Sequence, residues 1–327
     1  MRGPASPPAA PAPVLPVPAP GRRARASARL TDLGYAAGWR AVRLLPEPVA
    51  VAAFDAGARW AAARDGRAVR QLRANLRVVT GGRLDDAALD DLTLRGLRSY
   101  ARYWQEAFRL PSLGPARILR DTVATGVEHF EAARAAGRPV VVALPHSGNW
   151  DAAGVWFVDW LGGPFMTVAE RLQPESLYRR FLAYRESLGM RVTPLTGGPR
   201  PGSAVLQEWL GAGRSVCLLV DRDLSAGGVP VRFFGHGTTM PGGPALLAAR
   251  TGAALHPAVC QFDGRGWRFV VHPEVPVAGA GRLRDRVARA TQDVADAFAA
   301  TIARRPEDWH VPGRIWADVP PDPAGRR

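Results

Sequence analysis

The segment "ALPHSGNWDAAG" at residues 143–154 contains side chains that can move a proton. His146 and Asp151 are five positions apart in it, and Asn149 lies between them. A neutral imidazole can take a proton from an attacking hydroxyl, and a nearby carboxylate can fix the tautomer of the ring and stabilise the imidazolium. The segment therefore predicts a histidine general base, although an aspartate at a helix start can also cap the helix or interact with its dipole.

A second polar cluster lies in "VDRDLSAGGVPVRFFGHGTTMPGG" at residues 220–243. Asp221 and Asp223 flank Arg222, and the pair Gly227–Gly228 indicates a backbone that approaches another group closely. The glycines match neither a Walker nor a dinucleotide fingerprint in order or spacing. The alternative interpretation is a polar loop with exposed charges.

The elements that precede these clusters predict an α/β fold with a largely parallel central sheet covered by helices. The apolar runs "VVVAL" and "VCLLV" are typical of strands that are covered on both faces. From residue 127 onward, such strands alternate with helices of about ten to fifteen residues. Reactive side chains in these sheets gather at the carboxyl ends of strands. His146 and Asp151 follow one such end, and Asp221 and Asp223 follow another.

The composition divides the chain into three parts. We expect a disordered Pro/Ala-rich arm at 1–26, a single domain at 27–317 and a flexible tail at 318–327. Within the domain, 27–126 is predicted to be mostly helical and 127–317 to form the α/β core. The proline content of the arm argues against a signal peptide. Its basic end can contact lipid headgroups, or the arm can lack a function.

The charge favours anionic partners. The net charge is +14, and every basic residue other than histidine is arginine. Such a surplus fits a phospholipid surface, a phosphorylated substrate or nucleic acid. No apolar run approaches the roughly 18–20 residues that span a bilayer. Residues 30–64 predict two helical segments broken by Pro46 and Pro48, and the first mixes arginines with Leu and Trp. This pattern fits a helix lying on an anionic membrane, and equally a helix packed on the domain.

The cysteines and histidines do not indicate metal or thiol chemistry. Cys217 and Cys260 both lie in apolar runs, which predicts buried, reduced thiols. The sequence holds no His/Cys cluster with metal-ligand spacing, so we expect no metal. The apolar and aromatic residues of "WFVDWLGGPFM", at 156–166, can line a slot for a fatty chain, although core packing is their default role.

Several blocks resemble the lipid A late acyltransferase family, which carries a glycerolipid-type His-x-x-x-x-Asp motif. "PHSGNWD" resembles that motif, and "DRDL…VRFFG…MPGGPALLAARTGAAL" resembles the second and third blocks in order. "RRPEDWHVPGRIW" is similar to the C-terminal signature of the family. "HSGNWDAAGVW", "AERL" and "DRDLS" look like its actinobacterial branch, the phosphatidylinositol mannoside acyltransferases. The resemblance covers about residues 30–317 and omits the arm.

The resemblance implies an acyl-CoA-dependent O-acyltransferase without a cofactor. Acyl-CoA would be the donor substrate, and a mannose hydroxyl of a phosphatidylinositol mannoside would receive a palmitoyl-type chain. The branch works at the cytoplasmic face of the plasma membrane, so we expect peripheral binding to an anionic membrane surface. We also expect a monomer that binds no nucleic acid.

The resemblance also implies roles for single residues. His146 stands at the position of the general base, Asp151 completes the motif, and Asp221 stands where the branch has an acidic partner, often Glu. Which aspartate contacts His146 stays open. An arginine at position 185 can pair with donor phosphate or stabilise the oxyanion of the thioester. The predicted substrate-binding residues are Asn149, Glu170, Arg185, Arg222, Asp223, Gly227 and Arg250.

Other functions remain as alternatives. Acyl transfer to another lipid or glycolipid is one of them. An esterase or thioesterase would pair His146 with a nucleophile, and Ser147 is adjacent, but the sequence has no Gly-x-Ser-x-Gly elbow. A nucleic-acid-binding protein would explain the charge, but the sequence lacks both an aromatic-interleaved basic platform and a recognised reading helix.

Overall fold

The computed structural model describes residues 34, 37–170, 175–223 and 227–323. The predicted arm at 1–26 lies outside the described residues, as does the end of the predicted tail at 324–327. Asp322, inside that predicted tail, is held on the helix Arg67–Val79 by ion pairs to Arg73 at 2.5 Å and Arg77 at 2.6 Å. The prediction therefore placed the start of a flexible tail too early.

The helices surround one main sheet. Residues 37–44 are helical. The helices that follow are α1 (Glu47–Arg64), α2 (Arg67–Val79), α3 (Asp86–Leu113), α4 (Pro115–Arg120), α5 (Val127–Ala135), α6 (Trp150–Leu161), α7 (Glu175–Ser187), α8 (Gly202–Gly211), α9 (Gly243–Thr251) and α10 (Leu283–Ile302). A 3₁₀ helix covers Pro306–Asp308. None of the helices that the structure describes is long and apolar enough to cross a bilayer.

The strands form a seven-stranded sheet and a separate hairpin. They are β1 (Thr122–Thr125), β2 (Val140–Leu144), β3 (Met166–Ala169), β4 (Arg191–Pro194), β5 (Val216–Leu219), β6 (Val229–Phe233), β7 (His236–Met240), β8 (Ala254–Asp263) and β9 (Gly266–Val271). The sheet order is β1-β9-β8-β2-β5-β3-β4. Its described neighbours are parallel except for β8 and β9, which are antiparallel. The predicted α/β fold and the N-terminal helical region are confirmed.

The central strand β2 shows why the sheet is covered on both faces. Successive side chains of a strand point to opposite faces. Val141 and Ala143 pack in one buried cluster, with residues of α8, α9 and α10. Val140, Val142 and Leu144 pack in another, with residues of α5 and α6. Every residue of β2 is buried, which accounts for the continuous apolar run in the sequence.

Two features differ from the predicted elements. The hairpin β6–β7 was not predicted, and a polar loop was one interpretation of this segment, but Phe233 pairs with His236 across a two-residue turn. Phe234 and Gly235 have φ values of 52° and 81° in this turn, as a type I′ hairpin requires. In addition, Pro48 does not separate two helices. It lies in the first turn of α1, where a missing N–H costs no hydrogen bond.

Candidate active site

His146 and Asp221 meet at the carboxyl edge of the main sheet. The loops after β2 and β5 carry them, and these two strands are parallel neighbours. His146 Nδ1 lies 2.6 Å from Asp221 Oδ1, and the backbone N–H of His146 donates to Oδ2 over 3.0 Å. Because the carboxylate engages Nδ1, Nε2 is the ring nitrogen left to accept a proton. The imidazole is 31% exposed, whereas the Asp221 side chain is fully buried.

The charge of Asp221 is supported by its partners. Burial is the largest influence and raises the pKa of this carboxyl, but the charge of His146 and the hydrogen bonds from His146 and Trp309 outweigh it. The net effect holds the pKa of Asp221 below its usual value. Trp309 contributes its indole N–H, which donates to Oδ2 over 2.8 Å. Asp221 can therefore present a fixed negative charge to the imidazolium form of His146.

The turn after His146 requires a glycine. Gly148 has a φ of 53°, and a Cβ on it would lie 2.6 Å from the carbonyl carbon of Cys260. Only a residue without a side chain fits such a close approach at a positive φ. The Gly148 N–H donates to the Asp308 carbonyl over 2.8 Å. The glycine in the motif thus lets the loop lie flat against β8 and the C-terminal segment.

The C-terminal segment around Trp309 lies directly on the motif loop. Its main chain bridges Ser147 to Trp309 in an antiparallel arrangement. The N–H of His310 donates to the carbonyl of His146 over 2.8 Å. Asp308 anchors the segment to α3, because its carboxylate accepts from the hydroxyl of Ser99 over 2.8 Å. The N-terminal helices and the α/β core therefore meet at this loop.

Asp151 belongs to a different buried cluster. It lies in the first turn of α6, where Tyr103 donates to Oδ2 over 3.2 Å and Arg185 Nε lies 3.4 Å from Oδ1. The guanidinium of Arg185 also lies 4.3 Å from the centre of the Trp150 ring. Burial raises the pKa of Asp151, and Arg185 and Tyr103 oppose that shift. These contacts join α6 to α3 and α7.

Asn149, not Asp151, caps α6. Its side-chain oxygen accepts from the Ala152 N–H over 3.0 Å, and its amide donates to Glu106 over 2.7 Å. The side chain is 1% exposed. Of the two structural roles that the sequence allowed for Asp151, the structure shows no cap, but a place in the first turn of α6 fits an interaction with the helix dipole. The contacts of Asn149 described here are structural, and its predicted contact with substrate stays a prediction.

A small apolar void lies beside the ends of β2 and β5. Its walls come from the two strands, from α6 and from the residues around β3 and β9. Phe157 and Phe165, both from the segment at 156–166, are among its lining. The other lining residues are Leu144, Trp150, Ala153, Gly154, Thr167, Met190, Cys217, Leu219 and Phe269. The void measures about 20 Å³, roughly the room that one water molecule needs. These side chains therefore pack as core, which was their default role, and they leave no space for a fatty chain.

Comparison with known proteins assigns the chain to a family. The family model described as bacterial lipid A biosynthesis acyltransferase matches residues 22–316. The chain belongs to this family. A phosphatidylinositol mannoside acyltransferase of Mycolicibacterium smegmatis is 53% identical over 288 residues, which are 88% of this chain and 92% of the relative. A protein of the same name from Mycobacterium tuberculosis is 52% identical over 289 residues, 88% of each chain.

The remaining predicted contacts of this lipid A-type acyltransferase are spread around the carboxyl edge. Glu170 follows β3 and is exposed. The carboxylate of Asp223 accepts from the Gly228 N–H over 2.9 Å and from the Thr239 hydroxyl over 3.1 Å, so it ties the loop after β5 to the hairpin. Arg222 and the exposed Gly227 lie in the same loop. The segments "AERL" and "DRDLS" extend into 171–174 and 224–226, outside the described residues.

Arg250 does not belong to the acyltransferase site. It lies in the last turn of α9, and the next strand, β8, begins at Ala254 beside Val140 at the start of β2. Arg138, just before β2, donates to the carbonyl of Gly252 over 2.9 Å. Arg250 is therefore at the amino edge of the sheet, opposite His146. The prediction was wrong because the sequence block continues through α9, which runs away from the site.

Sequence reasoning missed several polar groups that support the acyltransferase site. Glu106 accepts from Asn149 and from the Trp267 indole, each over 2.7 Å, and neither helix periodicity nor spacing marks it. His310 is buried, and burial lowers its pKa to about 3, so it is neutral. Trp309 and His310 both lie in the C-terminal signature, which was the available signal.

The thiol and metal predictions concern residues that the structure describes. Cys217 and Cys260 are free and buried, and burial raises the pKa of both thiols. They are therefore poor nucleophiles. In the described part of the chain, no group of three or more His, Cys, Asp or Glu side chains is arranged to hold a metal ion.

The two aspartates should respond differently to the loss of charge. We expect Asp221→Asn to lower the turnover number of acyl transfer by roughly 10²- to 10⁴-fold with little loss of stability, because the imidazolium loses its counter-charge. Asp151→Asn should lower the free energy of unfolding by about 3 kcal/mol, because Arg185 loses its buried partner. Turnover assays and urea unfolding of both variants check this. A stable but inactive Asp151→Asn beside an active Asp221→Asn would reverse the roles.

Proposed function

We propose that this chain transfers a palmitoyl-type acyl chain from acyl-CoA to a mannose hydroxyl of a phosphatidylinositol mannoside. The observation that carries the proposal is the contact between His146 and Asp221, in a chain more than half identical to two proteins named for that activity. The family supplies the reaction class, and the relatives supply the acceptor. The donor and the acyl chain come from the resemblance to the family branch, and the mechanism comes from the geometry of the pair.

The reaction needs one proton shuttle. The acceptor hydroxyl gives its proton to Nε2 of His146 while its oxygen attacks the thioester carbonyl. The tetrahedral intermediate then collapses to the ester and expels the coenzyme A thiolate, which takes the proton back from the imidazolium. Asp221 stabilises the imidazolium between these steps. No acyl group is attached to the enzyme at any stage.

The proposal is tested with labelled palmitoyl-CoA and purified phosphatidylinositol mannoside. We expect acylated glycolipid as the main product, and a folded His146→Ala variant should lose roughly 10²- to 10⁴-fold in rate, since proton transfer is lost. Product analysis by mass spectrometry and circular dichroism of the variant are the readouts. Near-normal transfer by His146→Ala would contradict the mechanism. Release of free palmitate at one rate with and without acceptor would indicate a thioesterase instead.

We also propose that the protein binds the cytoplasmic face of the plasma membrane peripherally. The support is the N-terminal surface, where Leu44 is 74% exposed and Val49 is 49% exposed. Arg40 and Arg43, in the helical residues before them, are exposed as well. Apolar side chains beside arginines suit the interface of an anionic bilayer. A lipid acceptor would be delivered there without leaving the membrane.

Binding to anionic vesicles should depend on both features. We expect higher salt to weaken cosedimentation with vesicles that contain phosphatidylinositol, because salt screens the arginines. Leu44→Ser should also weaken it. Val123→Ser is the matched control, since Val123 is 46% exposed but lies on the edge strand β1. Equal binding by both variants, or binding that resists salt and carbonate, would contradict the proposal.

A further inference from the structure

We propose that Trp309 is a positioning residue for acyl transfer, which fixes the orientation of Asp221 and, through it, that of the His146 ring. The inference rests on the proposed function, because it assumes that the pair of His146 and Asp221 performs the proton transfer. It goes beyond that function by giving the C-terminal segment a part in the reaction.

The hydrogen bonds of the carboxylate carry the proposal. Oδ1 of Asp221 faces the His146 ring at 2.6 Å, while Oδ2 accepts from the His146 backbone over 3.0 Å and from the Trp309 indole over 2.8 Å. Among the described contacts of the carboxylate, the indole is the one that comes from outside the His146 loop. Without it, the carboxylate would be hydrogen-bonded only to the His146 residue that it orients.

The indole is itself held rigidly. Trp309 is 1% exposed, and its ring centre lies 5.8 Å from that of Phe233 and 6.1 Å from that of Trp316. The main chain on either side is bonded to the motif loop through Gly148 and His146. A buried N–H with so little freedom presents one direction to the carboxylate. An ionised acceptor makes such a bond stronger than a neutral one.

A neighbouring tryptophan provides a matched control. Trp316 is fully buried, and its indole donates over 3.0 Å to the carbonyl of Phe233. Both indoles therefore make one buried hydrogen bond in the same aromatic cluster. They differ in the acceptor, since Trp316 donates to a main-chain oxygen of β6 rather than to the carboxylate.

The test compares Trp309→Phe with Trp316→Phe. We expect Trp309→Phe to lower kcat by roughly 10- to 100-fold, because the reacting pair loses a hydrogen bond to a charged group. The KM of either substrate should change little, because this hydrogen bond is not made to a substrate. Trp316→Phe should lose similar stability and keep kcat within about threefold of the wild type. The downfield proton NMR signal of His146 Nδ1–H should shift or broaden in Trp309→Phe only.

Each outcome decides the inference. Normal kcat and an unchanged proton signal in Trp309→Phe, beside an impaired Asp221→Asn, would overturn the positioning role and leave the proposed function intact. Normal turnover in Asp221→Asn would instead overturn the pair itself. If Trp309→Phe does not fold, 3-benzothienylalanine at this position replaces the indole N–H by sulfur, which cannot donate, and keeps the bicyclic shape closely. The same loss of kcat is then expected, and normal kcat contradicts the role.

Discussion

The buried charge of Asp221 constrains everything around it. A carboxylate taken out of water is costly unless partners replace the lost solvation. Asp221 is 1% exposed, and it obtains those partners from the His146 ring, the His146 backbone and the Trp309 indole. These groups come from two separate parts of the chain, and Asp221 itself comes from a third. The charge is therefore stable only if the sheet, the motif loop and the C-terminal segment are all in place.

That requirement explains how the N-terminal helices are tied to the core. Ser99 and Glu106, both on α3, bind the C-terminal segment and the α6 cap respectively. Asp151 adds a third connection through Tyr103. Each of these bonds lies within a few residues of His146 or Trp309. The helical region consequently supports the site from one side while the parallel sheet presents it from the other.

The sequence allowed much of this arrangement to be predicted. Continuous apolar runs identified β2 and β5, and the rule that reactive groups collect at carboxyl ends placed Asp221 near His146. Local sequence patterns did not predict contacts between residues that are far apart in the chain. The amide of Asn149 donates to Glu106, which is 43 residues away in the sequence. Trp309 lies 88 residues from Asp221 in the sequence, and no periodicity predicts the hydrogen bond between them.

The misplacement of Arg250 and the missed hairpin have physical causes as well. A motif in the sequence does not show in which direction its elements run. The sequence therefore could not show that α9 leads from the site to the opposite edge of the sheet. The five residues of β6 include a proline, and the five residues of β7 include a glycine. Both residue types weaken the sequence pattern of a strand. Their pairing depends on the turn at Phe234–Gly235, where a bulky residue takes a left-handed conformation.

The central claim is that His146 and Asp221 act as one unit, and a double-mutant cycle tests it most directly. Steady-state kcat would be measured for His146→Ala, Asp221→Asn and the double variant, with palmitoyl-CoA and a phosphatidylinositol mannoside. If the carboxylate works through the imidazole, the double variant should be within about twofold of His146→Ala alone. A double variant whose loss equals the product of the two single losses would show that the residues act independently and would contradict the account.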